Sequence, residues 1–149
     1  MLDYRRRLPH WFPDDAMVFV TWRLVGQTIA VCGLPTPNVP TSFLQHDERL
    51  DRFDFGPVWL QDTRVASMIA AALQYGETVR QFYHLHVWVI MPNHVHVVLE
   101  PRAAMPSIMR WLKGRTGRMA NRILGRTGMP FCKTNRSIIG YGRRRNFGW

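Results

Sequence analysis

Two histidine pairs with the spacing His-x-His flank a short link, Met91–Asn93, in the middle of the chain. His84 and His86 precede the link, His94 and His96 follow it, and apolar residues alternate with all four. Alternate side chains of a β-strand lie on one face, so the members of each pair share a face. Two imidazoles at this spacing can hold one divalent ion, and such an ion can polarise a phosphodiester. Histidine pairs in strands are also common as surface or hydrogen-bonded pairs, so the spacing alone leaves both interpretations open.

The first pair has a less specific pattern than the second. His84 and His86 could orient the ligands of a neighbouring metal site or contact DNA, as outer-shell groups do. The alternative is a polar stripe on an exposed sheet face, and for His84 this alternative is favoured. The metal hypothesis is therefore placed on His94 and His96.

The charge of the chain indicates an anionic partner. The 149 residues carry 20 Lys or Arg against 10 Asp or Glu, a net charge of +10, and only Lys113 and Lys133 are lysines. A hydrophobic content of 46% is enough for a packed core in a single domain. Arginine offers a planar set of donors that matches phosphate, so nucleic acid is the partner that we expect. An arginine-favouring composition without a specific partner is the alternative.

Several classes of protein are disfavoured by the same composition. The only cysteines are Cys32 and Cys132, and no Cys-x-x-Cys occurs, which argues against a zinc ribbon. The first residues, Met-Leu-Asp-Tyr-Arg-Arg-Arg, do not resemble a signal peptide. No apolar run approaches the length of a membrane span. We expect a cytoplasmic protein with reduced thiols and no membrane association.

The periodicity of apolar residues predicts an α+β fold. Strands are predicted at 17–24, 82–91 and 94–100, and the short link makes the last two a hairpin. Helices are predicted at 62–80, with Asp62 as N-cap, and at 106–124. In the second helix the predicted apolar stripe consists of Ile108, Leu112, Met119 and Ile123. This order is typical of a ferredoxin-like sandwich, an antiparallel sheet with the helices packed on one face and the other face open to a ligand.

Two basic elements could bind the phosphates of a nucleic acid. The first is Arg5, Arg6 and Arg7, followed by Trp11, which could stack on an unpaired base. The second lies on the later predicted helix and consists of Arg110, Lys113, Arg118 and Arg122. The alternatives are that Trp11 packs against the domain and that the helix charges form a solvated face.

Three stretches of the sequence resemble one family. "VIMPNHVHVVLEP" (89–101) resembles the HUH signature (His, hydrophobic, His) of single-tyrosine transposases, above all the relatives associated with repetitive extragenic palindromes (REP). "YRRRLPHWFPDDAMVFVTWRL" (4–24) looks like the first arm and strand of that family. "MPSIMRWLKGRTGRMANRILGRTGMPF" (105–131) looks like its next helix. Together these stretches suggest that residues 1–131 form such a domain.

The resemblance implies a fold, a cofactor and a chemistry. It implies a ferredoxin-like domain that binds single-stranded hairpin DNA, with Mg²⁺ or Mn²⁺ held at the positions of His94 and His96, and a possible homodimer. The family reaction is a transesterification in which a tyrosine oxygen attacks the scissile phosphate and stays joined to the DNA 5′ end. No paired carboxylate surrounds the histidines, and this reaction needs no water-activating base.

The tyrosine that this chemistry needs is not evident in the sequence. In the family it lies on a later helix, and here Tyr141 is the only tyrosine downstream, in the helix-breaking setting "IIGYGRRRNFGW". The resemblance also stops after Phe131. One added base in a permitted back-translation of the following codons restores a family-like continuation. Our hypothesis is that residues 132–149 are an aberrant basic tail, read out of frame, and the alternative is a divergent tail.

Three functions are therefore carried forward. The first is a transposase acting on single-stranded hairpin DNA through a phosphotyrosine intermediate, impaired by loss of the tyrosine helix. The second is a relic or regulator that binds palindromic hairpins without cleaving them. The third is a basic RNA-binding domain with structural histidines. Metal dependence separates the first from the others, and preference for hairpins over duplex separates the first two from the third.

Overall fold

The computed structural model of the chain describes residues 16–26 and 56–132, together with the backbone of 138–143. In chain order the elements are β1 (Ala16–Arg23), a 3₁₀ turn (Trp59–Gln61), α1 (Thr63–Thr78), β2 (Tyr83–Ile90), β3 (His94–Pro101), α2 (Met105–Ile123) and β4 (Ile138–Arg143). The three predicted strands and both predicted helices are confirmed. The predicted arm that includes Arg5, Arg6 and Arg7 lies outside the described residues.

The four strands form one sheet in the order β2-β3-β1-β4, and every neighbouring pair is antiparallel. The α1 crossover joins β1 to β2, and β3 fits between these two strands. This arrangement is the split β-α-β pattern, so the predicted ferredoxin-like sandwich is confirmed. Strand β4 was not predicted, and its backbone extends the sheet by pairing with the other edge of β1, with Val18 opposite Tyr141.

Alternation along the strands divides the sheet into two faces. Val18, Val20 and Trp22 of β1 and Val95 and Val97 of β3 are almost fully buried. They pack with both helices in one hydrophobic cluster, so α1 and α2 cover the same face. The residues between them, which include both histidines of β3, consequently lie on the opposite face.

Each helix begins with a recognisable signal. Asp62 accepts a hydrogen bond from the Arg64 backbone N–H at 2.9 Å, which confirms the predicted N-cap of α1. Helix α2 has Pro106 in its first turn and ends before Gly125, whose φ of 66° suits a residue without a Cβ. Its buried positions confirm Ile108 and Leu112 of the predicted stripe. Met119 is 37% exposed, so its assignment to the stripe was wrong.

The residues that α2 buries differ from the predicted apolar stripe in the second half of the helix. Its members recur three and four residues apart, and the later ones are small or polar: Met105, Ile108, Met109, Leu112, Thr116, Gly117, Ala120 and Asn121. At the end of the helix, Asn121 donates to the Met129 carbonyl at 2.6 Å and the Phe131 side chain lies against Gly117. The 125–131 loop therefore covers this flank of the helix. Of the two helices that the structure describes, neither is long and apolar enough to cross a membrane.

The close approach of α1 to β2 depends on Gly76. The Tyr83 hydroxyl donates to the Leu73 carbonyl at 2.7 Å, beneath the helix. A Cβ on Gly76 would collide with that hydroxyl and would lie 3.0 Å from the Trp111 ring. Only glycine leaves space for both aromatic rings at this point of the helix.

We predict that Gly76→Ala lowers the free energy of unfolding by about 1–3 kcal/mol, because the added methyl group forces apart packed side chains. Gly114→Ala is the matched control, since the nearest atom to its Cβ would be the Arg118 guanidinium at 3.6 Å. In this helical position alanine should stabilise the protein by roughly 0.5–1 kcal/mol. Urea unfolding monitored by circular dichroism measures both changes. Equal stability of the two variants would contradict this account of Gly76.

Candidate metal and nucleic-acid site

The histidines of β3 lie beside two β1 residues on the sheet face away from the helices. The β1–β3 register places Thr21 opposite His96 and Arg23 opposite His94. His94 is fully buried and His96 is half-buried. The two rings are nearly perpendicular, at 82°, and their Nε2 atoms are 2.9 Å apart. The strand thus brings two imidazole nitrogens to one point, as the sequence predicted.

Each ring is anchored through its other nitrogen. His94 Nδ1 contacts the Asn93 side-chain oxygen, and His96 Nδ1 lies 2.8 Å from the Thr21 hydroxyl. Because an amide oxygen can only accept, the His94 proton must be on Nδ1, which leaves the Nε2 lone pair facing His96. Such contacts fix the tautomer and the ring orientation of metal-binding histidines. Sequence reasoning missed both anchors, although Asn93 adjoins the motif and Thr21 is a polar residue in an apolar strand.

The electrostatic environment keeps His94 uncharged. Its pKa falls to about 4, first because burial disfavours the imidazolium, and then because His96 and Arg23 are nearby. At neutral pH the ring is therefore a neutral donor of a lone pair. This is the protonation state that a metal ligand requires.

The pair supplies two ligands. No group of three or more His, Cys, Asp or Glu side chains positioned to share an ion occurs in the described parts of the chain. The 2.9 Å between the Nε2 atoms still fits two neighbouring ligands of an octahedral ion, since bonds of ~2.1 Å at right angles place nitrogens about 3 Å apart. The spacing thus fits a six-coordinate divalent ion that accepts imidazole nitrogen, with further positions open to water or phosphate.

The other histidine pair does not belong to this site. His84 lies opposite Glu100, roughly 13 Å along β3 from His96 at the usual rise of a strand. His84 Nδ1 is 2.8 Å from a Glu77 carboxylate oxygen, and His86 Nε2 is 3.5 Å from a Glu100 carboxylate oxygen. His84 is thus too distant to orient His94 and His96, in keeping with the polar stripe favoured for it, and a role for His86 beside the metal site or DNA stays a prediction.

The predicted basic residues of α2 are separated from the histidines by the sheet. Arg110, Arg118 and Arg122 are exposed, whereas Lys113 is half-buried. Burial lowers the pKa of Lys113; Arg23 lowers it further, and Cys132 opposes the shift. The structure therefore brings His94 and His96 together, and it leaves the three arginines on the outer surface of the helix layer. That these four basic residues bind DNA stays a prediction.

The tyrosines whose side chains are described lie away from the histidine pair. Tyr83 is buried beneath α1, and desolvation raises the pKa of its phenol, with Glu77 adding to the shift. Tyr75 lies on the helix layer. Tyr141 is a backbone position of β4 opposite Val18, about 10 Å along β1 from Thr21. It lies in a strand, where the family resemblance implies a helix.

Comparisons with known proteins support the fold. No family model matches the sequence, and no curated protein matches it. Among solved structures, a REP-associated tyrosine transposase bound to a REP hairpin is similar, with a TM-score of 0.55 and 16% identity. The alignment covers 97% of this chain and 64% of that one. A second structure, a candidate transposase from Deinococcus radiodurans R1, has a TM-score of 0.46 and 14% identity over 98% of this chain and 89% of its own.

Because the sequence identity to the hairpin-bound transposase is only 16%, the similarity to it shows the fold alone. This chain spans about two thirds of the length of the hairpin-bound structure. The order and pairing of the strands, the two helices on one face and the histidines on the other are the features expected from the resemblance in sequence. The chain therefore has a fold of the single-tyrosine transposase type.

Proposed function

We propose that this chain is a transposase-type domain that binds single-stranded hairpin DNA and holds Mg²⁺ or Mn²⁺ through His94 and His96. The observation that carries the proposal is the geometry of the pair, with two Nε2 atoms 2.9 Å apart and both Nδ1 atoms held by oxygen partners. Both rings are thereby held with their Nε2 atoms directed at one point. The transposase-type fold and the net charge of +10 support the same proposal.

The chemistry proposed for the intact site is a transesterification. A bound divalent ion would polarise the scissile phosphate and stabilise the charge that develops on its oxygens. The tyrosine oxygen forms a bond to phosphorus as the bond from phosphorus to the 3′-oxygen breaks. The proton lost by the phenol ends on that 3′-oxygen, and a 5′-phosphotyrosine remains. In this chain Thr21 and Asn93 would keep the two imidazoles in position.

A second candidate, hairpin binding without cleavage, is favoured by the positions of the tyrosines. Tyr83 donates its hydroxyl proton to a helix carbonyl, and Tyr75 lies in the helix layer. Tyr141 is in strand β4, where the resemblance leads us to expect a helix. We therefore propose that the fold and the metal site persist while the phosphotyrosine chemistry is impaired.

The DNA contacts remain part of the proposal. We propose hairpin DNA as the ligand because the similar solved structure contains a REP hairpin and because the sequence resembles the same family. Arg110, Lys113, Arg118 and Arg122 are the proposed phosphate contacts of α2, joined by Arg5, Arg6 and Arg7 of the N-terminal arm. A homodimer is proposed on the resemblance alone.

We predict that replacing His94 and His96 together by alanine abolishes Mn²⁺ binding measured by isothermal titration calorimetry. Thr21→Val keeps the volume of the side chain and removes the hydroxyl that anchors His96, so affinity should fall about 10- to 100-fold. His84→Ala is the control and should bind Mn²⁺ like the unchanged protein, because it lies at the other end of the sheet. Unaltered Mn²⁺ affinity in the double variant would exclude this metal site.

We predict that end-labelled single-stranded hairpin DNA binds to the protein in Mn²⁺ without forming a covalent adduct on a denaturing gel. The reason is that no tyrosine side chain in the described parts of the chain is near the histidine pair. An adduct that disappears in Tyr141→Phe would overturn this expectation and identify Tyr141 as the nucleophile. Equal affinity for the hairpin and for duplex DNA would contradict hairpin recognition itself.

A further inference from the structure

A cluster of rings and guanidinium groups lies where α1 and α2 meet, at the end of the sheet remote from His94. It consists of Tyr75, Arg80, Phe82, Trp111 and Arg115, and we name it the arginine–aromatic platform. The Tyr75 and Trp111 rings stack at 18° with centroids 6.2 Å apart, and the edge of Phe82 meets Trp111 at 5.4 Å. Three rings, from the two helices and from the link before β2, are thus in contact with one another.

Two arginine guanidinium groups lie over these rings. The Arg115 guanidinium is 4.6 Å from the centre of Tyr75 and 5.8 Å from that of Trp111. The Arg80 guanidinium is 4.7 Å from the centre of Phe82. Neither arginine forms a salt bridge with any residue that the structure describes. A guanidinium that is positioned by ring stacking can still offer N–H groups from its edge to a phosphate.

The charge that α2 brings to the platform is of one sign, while Glu77 of α1 is held by His84 and by the Leu85 backbone N–H. Helix α2 contains five basic residues and no acidic one, and Glu100 is the last acidic residue of the whole chain. Residues 111, 115, 118 and 122 follow helical spacing, so exposed Arg118 and Arg122 continue the stripe that begins at Trp111 and Arg115. A phosphate backbone following α2 would meet these arginines in succession, and no carboxylate on α2 would repel it.

Simple helix packing explains part of the cluster but not all of it. Trp111 is half-buried and fits beside Gly76, which is a packing role. Tyr75, however, is 37% exposed, and Arg80 is exposed as well. Packing between the helices alone does not explain why the Tyr75 ring stays partly exposed beside Arg115. Unpaired bases of nucleic acids stack on aromatic rings and on guanidinium planes, and arginines hold the adjoining phosphates.

We propose that the arginine–aromatic platform is a second binding site, which takes unpaired nucleotides of single-stranded DNA without a metal ion. It lies on the helix side of the sheet near the start of β2, whereas His94 lies near the end of β2 and on the other face. The site goes beyond the function proposed above, because it requires neither the histidine pair nor a tyrosine nucleophile. A strand flanking a hairpin is the DNA segment that suits it.

The test is fluorescence anisotropy with a labelled 20-nucleotide thymidine oligomer in EDTA, which removes any contribution of a metal. Tyr75→Leu should weaken binding about tenfold, since one stacked base is lost. Tyr75→Phe retains the ring and should bind normally. Arg115→Gln should also weaken binding about tenfold. Arg64→Gln is the control for charge, because exposed Arg64 pairs with Asp62 at the start of α1.

The outcomes separate this proposal from the previous one. Normal binding by folded Tyr75→Leu, or equal losses in Arg64→Gln and Arg115→Gln, would overturn the platform and leave the histidine site untouched. Loss of Mn²⁺ binding in the histidine double variant leaves the EDTA measurement unchanged if the platform is separate. Ultraviolet crosslinking of 5-iododeoxyuridine DNA should label the peptide that contains Tyr75. Labelling only of peptides outside α1 and α2 would also refute the platform.

Discussion

The position of the histidine pair depends on one register, the antiparallel pairing of β1 with β3. This register places Thr21 beside His96 and Arg23 beside His94. A slip by one residue would turn both imidazoles towards the helices and move Val95 and Val97 to the other face. Val95 and Val97 would then leave the hydrophobic core and two polar imidazoles would enter it, so the hydrophobic core maintains the geometry of the site.

The same sheet separates two kinds of chemistry. On one face lies the histidine pair, with a hydroxyl and an amide as partners and with His94 fully buried. On the other, both helices bury their apolar sides and present arginines and aromatic rings outward. Positive charges near His94 disfavour its protonated form. Besides burial, His96 and then Arg23 already lower the pKa of His94. The arginines exposed on α2 lie on the helix side of the sheet and therefore add no charge beside the pair.

The sequence was sufficient for the fold where periodicity was strong. Alternating residues predicted β1 and the hairpin, and Asp62 predicted the start of α1. Met119 was misplaced because the later turns of α2 bury small and polar residues, which a hydrophobic stripe does not reveal. Thr21 was missed because a cross-strand contact requires the register. The platform was missed for the same reason, since Tyr75 and Trp111 are distant in sequence and meet only when the helices pack.

The presence of strand β4 within residues 132–149 does not contradict the hypothesis that this tail is read out of frame. The pairing of β4 with β1 uses backbone N–H and C=O groups, which every residue except proline supplies in full. Without β4, the edge of β1 away from β3 would be the edge of the sheet, and an edge strand readily pairs with any extended segment that reaches it. The tail reads Ile-Ile-Gly-Tyr-Gly-Arg at this point, with β-branched residues at its start and no proline. Such a segment can complete the sheet whether or not its sequence is in the original reading frame.

Placing a nucleophile constrains the sequence more than pairing a strand does, because one particular side chain must lie at one position. A strand and a helix place the side chain of a tyrosine differently. The sheet can therefore be complete while the catalytic tyrosine is absent.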